Sequence, residues 1–171
     1  MLPSNQPYPE ALAAGINTSI GLDTHSNDYL ENIKLAVMQG RARAQLLGET
    51  SAVPLLEPTI WHALKSATIG GARGLGRNDL GVIEAGARAD LCAADVSGLL
   101  VGNGTSPRAP HNNLLYANGL SVRNVMTDGN WQVLVGKFTV GDTVQIIARG
   151  GAVVQKVWDQ LESEGFLYPC R

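Results

Sequence analysis

The chain has 171 residues, of which 44% are apolar and 16% charged, enough to bury one sizeable core or two small ones. Thirteen Lys and Arg residues against fifteen Asp and Glu leave a net charge of −2. The cations are scattered singly, so no basic stripe offers itself to nucleic acid. Residues 1–7 are polar and proline-broken, unlike a signal peptide, and no stretch reaches membrane-spanning length; the expected setting is cytoplasmic. Cys92 and Cys170 have no metal-type spacing and suggest no disulfide framework.

In chain order, Pro9 to Ala14 suits a short helix, with proline tolerated in the first turn and Gly15 available to end it. Ile16 to Leu22 mixes β-branched with small residues and reads as a buried strand that delivers Asp23 at its C-terminal end. Ser26, Asn27 and Asp28 are all able helix caps, and Asp28 with Glu31 has capping-box spacing. The helix they begin runs to Leu47. Leu30, Ile33, Val37, Ala44 and Leu47 form its apolar stripe, and Gly48 stops it. A second helix begins near Pro58 with Ile60, Trp61, Leu64 and Ala67 on its inner face, is interrupted at Gly70-Gly71, and gains one more turn from Ala72 to Leu75.

After Asp79 the pattern changes to short β segments, Gly81 to Glu84 and Ala89 to Ala94, around the turn Ala85-Gly86-Ala87. Ser97 to Asn113 has glycines, prolines and no period, and reads as a long loop. Val122 to Thr127 and Trp131 to Val135 flank Asp128-Gly129, a strong hairpin signal because both residues tolerate positive φ. Val144, Ile147, Val154, Val157, Trp158 and Leu161 then fit a helical stripe, against the low propensity of Gly150 and Gly151. These changes of pattern divide the chain into 1–76, 77–140 and 141–171.

Three stretches, read together, carry a family resemblance. The first is Ala13-Ala14-Gly15-Ile16-Asn17-Thr18-Ser19-Ile20-Gly21-Leu22-Asp23, followed by Ser26-Asn27-Asp28. The second runs Ala67-Thr68-x-x-Gly71-Ala72 and on through Leu75-Gly76-Arg77-Asn78-Asp79-Leu80-Gly81 to Gly86-Ala87-Arg88-Ala89-Asp90-Leu91, with Ala87-Arg88 where a lysine usually follows the glycine. The third is Val122-Arg123-Asn124-Val125-Met126-Thr127-Asp128-Gly129. In this order and at these spacings the chain resembles the C-terminal portion of a metal-dependent amidohydrolase of the cytosine/guanine deaminase and chlorohydrolase branch.

The resemblance implies an α/β fold: the last strand and helices of a (β/α)₈ barrel over residues 1–76, C-terminal strands of the small β-sandwich domain over 77–140, then a terminal helix and tail. It implies a parent that hydrolyses a C–N or C–Cl bond of a nitrogen heterocycle with water activated by a divalent zinc or iron ion. Asp23 matches the family's proton acceptor and metal ligand. His25, Ser26 and Asn27 follow at the mouth as substrate-binding candidates, although capping alone would account for Ser26 and Asn27.

The rest of the family's ligand set is missing. The histidines are His25, His62 and His111, and none forms a His-x-His pair. One carboxylate does not hold a catalytic zinc, so the expectation for the isolated chain is no metal and no catalysis of its own. His62 and His111 carry no spacing partner, Trp131 and Trp158 read as core residues, and Gly70-Gly71-x-x-Gly74-x-Gly76 lacks the strand that a nucleotide loop needs. Two functional readings follow: a piece of a hydrolase completed by an N-terminal chain, whether split off or cut from a longer product, or a non-catalytic module. A strand and helices taken from a barrel leave apolar faces open, so a homodimer or a complementing N-terminal chain is the expected partner.

Overall fold

The computed structural model of the chain describes residues 6–22, 26–102 and 108–166. Helix α1, Tyr8–Ala13, starts with Pro9 in its first turn and ends where Gly15 takes φ +69°. Residues 16–22 are extended but make no strand, contrary to the pattern of β-branched residues. A strand exists only with a ladder partner, and among the described residues none pairs with this segment.

Helix α2, Tyr29–Leu47, is the backbone of the first half. Asp28 caps it, its side chain accepting from Glu31 N, and Gly48 at φ +45° ends it. Ile33, Val37 and Gly40 form the buried stripe. Ile33 and Val37 meet Ile60 and Ala63 of helix α3, Ile60–Lys65, to make the core, with Ile20, Tyr29, Leu64, Ala67, Leu114 and Leu115 packed around it. Gly40 is glycine because a Cβ there would run into the ring of Pro58, which lies against α2.

The helix begun by α3 is not broken at Gly70-Gly71. It widens into a π turn over Ser66–Gly70 and passes into α4, Gly71–Gly74, with helical dihedrals at both glycines. Trp61, expected on the inner face, is 54% exposed.

Gly81 to Glu84 forms bends rather than a strand. Gly81 and Gly86 take φ of +73° and +92°, and Arg88 N donates to Asp79 O at 2.8 Å to close the segment on itself. The stretch expected to be a loop contains two short helices, α5 Leu99–Gly102 and α6 Pro110–Asn113.

One antiparallel sheet is present among the described residues, in the order β1 (Leu91–Ala94), β2 (Val122–Thr127), β3 (Asn130–Leu134), β4 (Lys137–Phe138). Leu91 faces Met126 across β1 and β2, and Met126 faces Trp131 across β2 and β3. Asp128 and Gly129 turn the hairpin at φ +48° and +78°, the positive pair that a two-residue turn matching strand twist requires. Strand β4 has no counterpart in the sequence pattern.

Asp142 then caps the 21-residue helix α7, Thr143–Ser163, accepting from Val144 N and Gln145 N. None of its residues is buried, and Trp131 and Trp158, expected in a core, are about half exposed. No helix among the described residues is long and apolar enough to cross a membrane.

Candidate functional site

The extended segment 16–22 is held by a helix whose backbone has been opened for it. A π turn frees carbonyls from the regular i to i−4 ladder, and free buried carbonyls need other donors. Here Ser66 O accepts from Ile20 N at 3.2 Å, Ala67 O from the Tyr29 hydroxyl at 3.1 Å, and Gly70 O from Asn17 Nδ2 at 2.9 Å. The Tyr29 hydroxyl also reaches Ile20 O at 2.8 Å, so one phenol ties α2, the segment and the π turn together.

Ser66 lies at the centre, 3% exposed. Its Oγ donates to His62 O at 3.0 Å and meets Thr18 Oγ1 at 2.7 Å and the Tyr8 hydroxyl at 3.0 Å. Burial pushes the Tyr8 and Tyr29 phenols above their ordinary pKa, which keeps both protonated. Two glycines make the approach possible: a Cβ on Gly70 would strike Thr18 O, and one on Gly81 would sit 2.7 Å from Ile69 N.

Of the residues expected at the site, Asp23 and His25 lie outside the described residues, as does Thr24. Ser26 Oγ accepts from Asp28 N at 3.1 Å, a turn bond that prepares the α2 cap, and Asn27 is exposed. Asp28 does more than cap: its second carboxylate oxygen accepts from Gly119 N at 2.6 Å and so ties the start of α2 to the turn that leads into β2.

The other histidines are accounted for by structure. His62 Nδ1 accepts from Thr59 N at 3.0 Å, closing the cap of α3. His111 stacks on Trp61, ring centroids 4.6 Å apart. Among the described residues no group of three His, Cys, Asp or Glu side chains comes together to hold a metal. The described residues therefore do not by themselves make up the ligand set of a catalytic zinc.

Sequence reasoning missed the hydroxyl cluster of Tyr8, Thr18 and Ser66, whose members are up to 58 residues apart and carry no spacing signal. It also missed the Trp61–His111 stack and a chain of ion pairs. Arg77 binds Asp79 through two 2.6 Å bonds, and Arg88 lies 3.6 Å from Asp79 and 2.5 Å from Asp128. Asp90 accepts from Asp128 N at 2.6 Å, locking the hairpin turn to the segment that precedes β1.

The sequence profile of the amidohydrolase family matches residues 4–132. A 5-methylthioadenosine/S-adenosylhomocysteine deaminase of Moorella thermoacetica is 33% identical over 154 residues, 84% of this chain and 32% of its own length. A 5'-deoxyadenosine deaminase of Methanopyrus kandleri is 31% identical over 151 residues, 82% of this chain and 31% of its own. An adenosine deaminase from Xanthomonas campestris with bound zinc superimposes with a TM-score of 0.70 at 26% identity, covering 86% of this chain and 33% of that one. An atrazine chlorohydrolase from Arthrobacter aurescens complexed with zinc does so with a TM-score of 0.69 at 28% identity, over 86% and 32%. The chain thus spans about a third of the length of the relatives it matches.

Proposed function

Since the chain belongs to the amidohydrolase family, we propose that it is the C-terminal portion of a hydrolase acting on an exocyclic C–N or C–Cl bond of a nitrogen heterocycle. The observation that carries this reading is the continuous match of 84% of the chain to about a third of a nucleoside-type deaminase. Zinc in the adenosine deaminase and chlorohydrolase neighbours supports a divalent metal in the parent.

In this reading Asp23 accepts the proton of the attacking water while ammonia or chloride leaves. The segment pinned on the π turn leads directly into Asp23. His25, Ser26 and Asn27 stand next in the chain to contact substrate. The metal-holding histidines come from an N-terminal portion, as one polypeptide or as a complementing chain, because the three histidines here include no His-x-His pair. Alone, the chain is expected to hold no metal and to turn over nothing.

The test is a chimera in which this chain replaces the matching third of the Moorella thermoacetica deaminase. Bound zinc and ammonia release from adenine nucleosides, with turnover lost in Asp23→Asn, is the expected outcome. A folded, zinc-loaded chimera whose turnover survives that substitution would remove Asp23 from the chemistry.

The alternative reading, a non-catalytic module that associates with itself, is favoured by one observation: the apolar residues of α7 are largely uncovered.

A further inference from the structure

We infer that Tyr29 is a positioning residue for Asp23: its hydroxyl closes the neck of the connection that carries the proton acceptor, and so limits how far that carboxylate strays from the reacting atoms. The inference rests on the reading in which Asp23 takes the proton of the attacking water. The Tyr29 hydroxyl donates to Ile20 O at 2.8 Å, across nine positions of sequence. Asp23, His25, Ser26 and Asn27, the residues given a part in that chemistry, all lie between the two bonded residues.

Each side of the neck is held by bonds of its own. On the entering side Ile20 packs against the core of α2 and α3, and its N–H donates to Ser66 O at 3.2 Å. Beyond Ile20 the hold ends: Leu22 is 51% exposed, and a Cβ added at Gly21 would meet nothing within 4 Å among the described residues. On the returning side Asn32 Nδ2 donates to Ser26 O at 3.3 Å and to Asp28 O at 2.9 Å, and the Asp28 side chain accepts from Glu31 N. Among the described residues, the bond from Tyr29 to Ile20 is the one hydrogen bond that joins the two sides.

Packing does not call for the hydroxyl. The Tyr29 ring lies against Ile33, Val37, Ile60 and Ala63, and phenylalanine would fill the same space. The phenol has a single proton to give, which Ile20 O shares with Ala67 O at 3.1 Å on the π turn. Phenylalanine would leave both carbonyls without that donor and the neck without its bond. A connection closed at its neck has fewer conformations than one closed further out, and a reacting group displaced by about 1 Å can cost about a hundred-fold in rate.

Tyr29→Phe in the chimera with the Moorella thermoacetica deaminase is the test, with kcat expressed per bound zinc. The expected result is a fall of about ten- to a hundred-fold. Ile33→Val, in the same core but away from the neck, is the control: it lowers the melting temperature and leaves kcat per bound zinc unchanged. A merely structural role for Tyr29 would move the melting temperature alone, so an unchanged kcat per bound zinc in Tyr29→Phe would overturn the proposal. In the full chain by itself, the NMR order parameters of the Gly21 and Leu22 amides should drop in Tyr29→Phe toward the flexible range below about 0.6, while that of Val37 stays put. Equal order parameters in the two proteins would overturn the proposal as well. A chimera that is inactive with its tyrosine in place would count against the catalytic reading, and the order parameters would still decide whether Tyr29 closes the neck.

Discussion

Asp28 spends one carboxylate oxygen on Glu31 N, 3.2 Å away in the first turn of α2, and the other on Gly119 N at 2.6 Å, 91 residues further along the chain. The first bond is a helix cap. The second fastens the start of that helix to the turn that opens β2, so one side chain couples the helical half of the molecule to the sheet.

The two bonds separate on mutation. Asp28→Ala loses the cap and leaves the Gly119 amide without its acceptor, an expected cost of about 2–3 kcal/mol. Asp28→Asn keeps one acceptor oxygen and a good capping residue, so about half of that loss is expected. Urea unfolding of the three proteins measures both. Equal losses in the two variants would mean that charge rather than bond geometry matters at this position.

Asp79 predicts an acid limb. The Arg77 guanidinium, bound through both carboxylate oxygens, is the main cause of its pKa falling from 3.8 to about 2, with Arg88 adding to it. A carboxyl whose folded pKa lies below its unfolded one stabilises the fold above the unfolded pKa, and loses that contribution as pH falls through the folded one. The expected signature is a decline in thermal stability from about pH 4 to pH 2 that shrinks in Asp79→Asn. The pair is partly exposed, so 1 M salt should shrink it too. An identical acid limb in the variant would assign the decline to other carboxylates.

What the sequence disclosed was mostly local. The Asp28 cap, the Asp128-Gly129 turn and the span of α7 each depend on residues within a few positions of one another, and each is found where the pattern puts it. Residues 16–22 were misread because β-branched composition marks an extended segment, whereas a strand needs a partner that the described residues do not supply. Gly70-Gly71 was misread for the same kind of reason: the close approach of Thr18, some fifty residues away, leaves no mark in local propensity. Asp23 stood out only through the family resemblance, since nothing in the composition around it distinguishes a proton acceptor from a cap.

Ser66 tests how much the hydroxyl cluster holds. Ser66→Ala removes a buried group that meets Thr18, Tyr8 and the His62 carbonyl, and leaves the first two hydroxyls short of a partner. A loss of about 1–3 kcal/mol is expected. Amide exchange at Ile20, whose N–H bonds to Ser66 O, should accelerate more than exchange at Val37 in the core. Uniform acceleration at both sites would show that the cluster supports the whole fold rather than the segment.

The neighbours Gly70 and Gly71 should respond to alanine with opposite signs. Both have helical dihedrals, φ −63° and −62°, so by propensity alone each substitution would stabilise the helix by about 1 kcal/mol. At Gly71 nothing among the described residues lies within 4 Å of the added methyl, and that gain should appear in full. At Gly70 the methyl would collide with Thr18 O and with the backbone around it, and the segment that would have to move is pinned by Ile20 N on Ser66 O and by Asn17 on Gly70 O. Relief of the clash must break at least one of those bonds, so Gly70→Ala should destabilise by about 1–3 kcal/mol despite its better propensity. Thermal unfolding of the two single variants decides it. A gain in both would mean that segment 16–22 is not seated on the π turn, and loss in both would mean that the turn itself, rather than the contact, requires glycine.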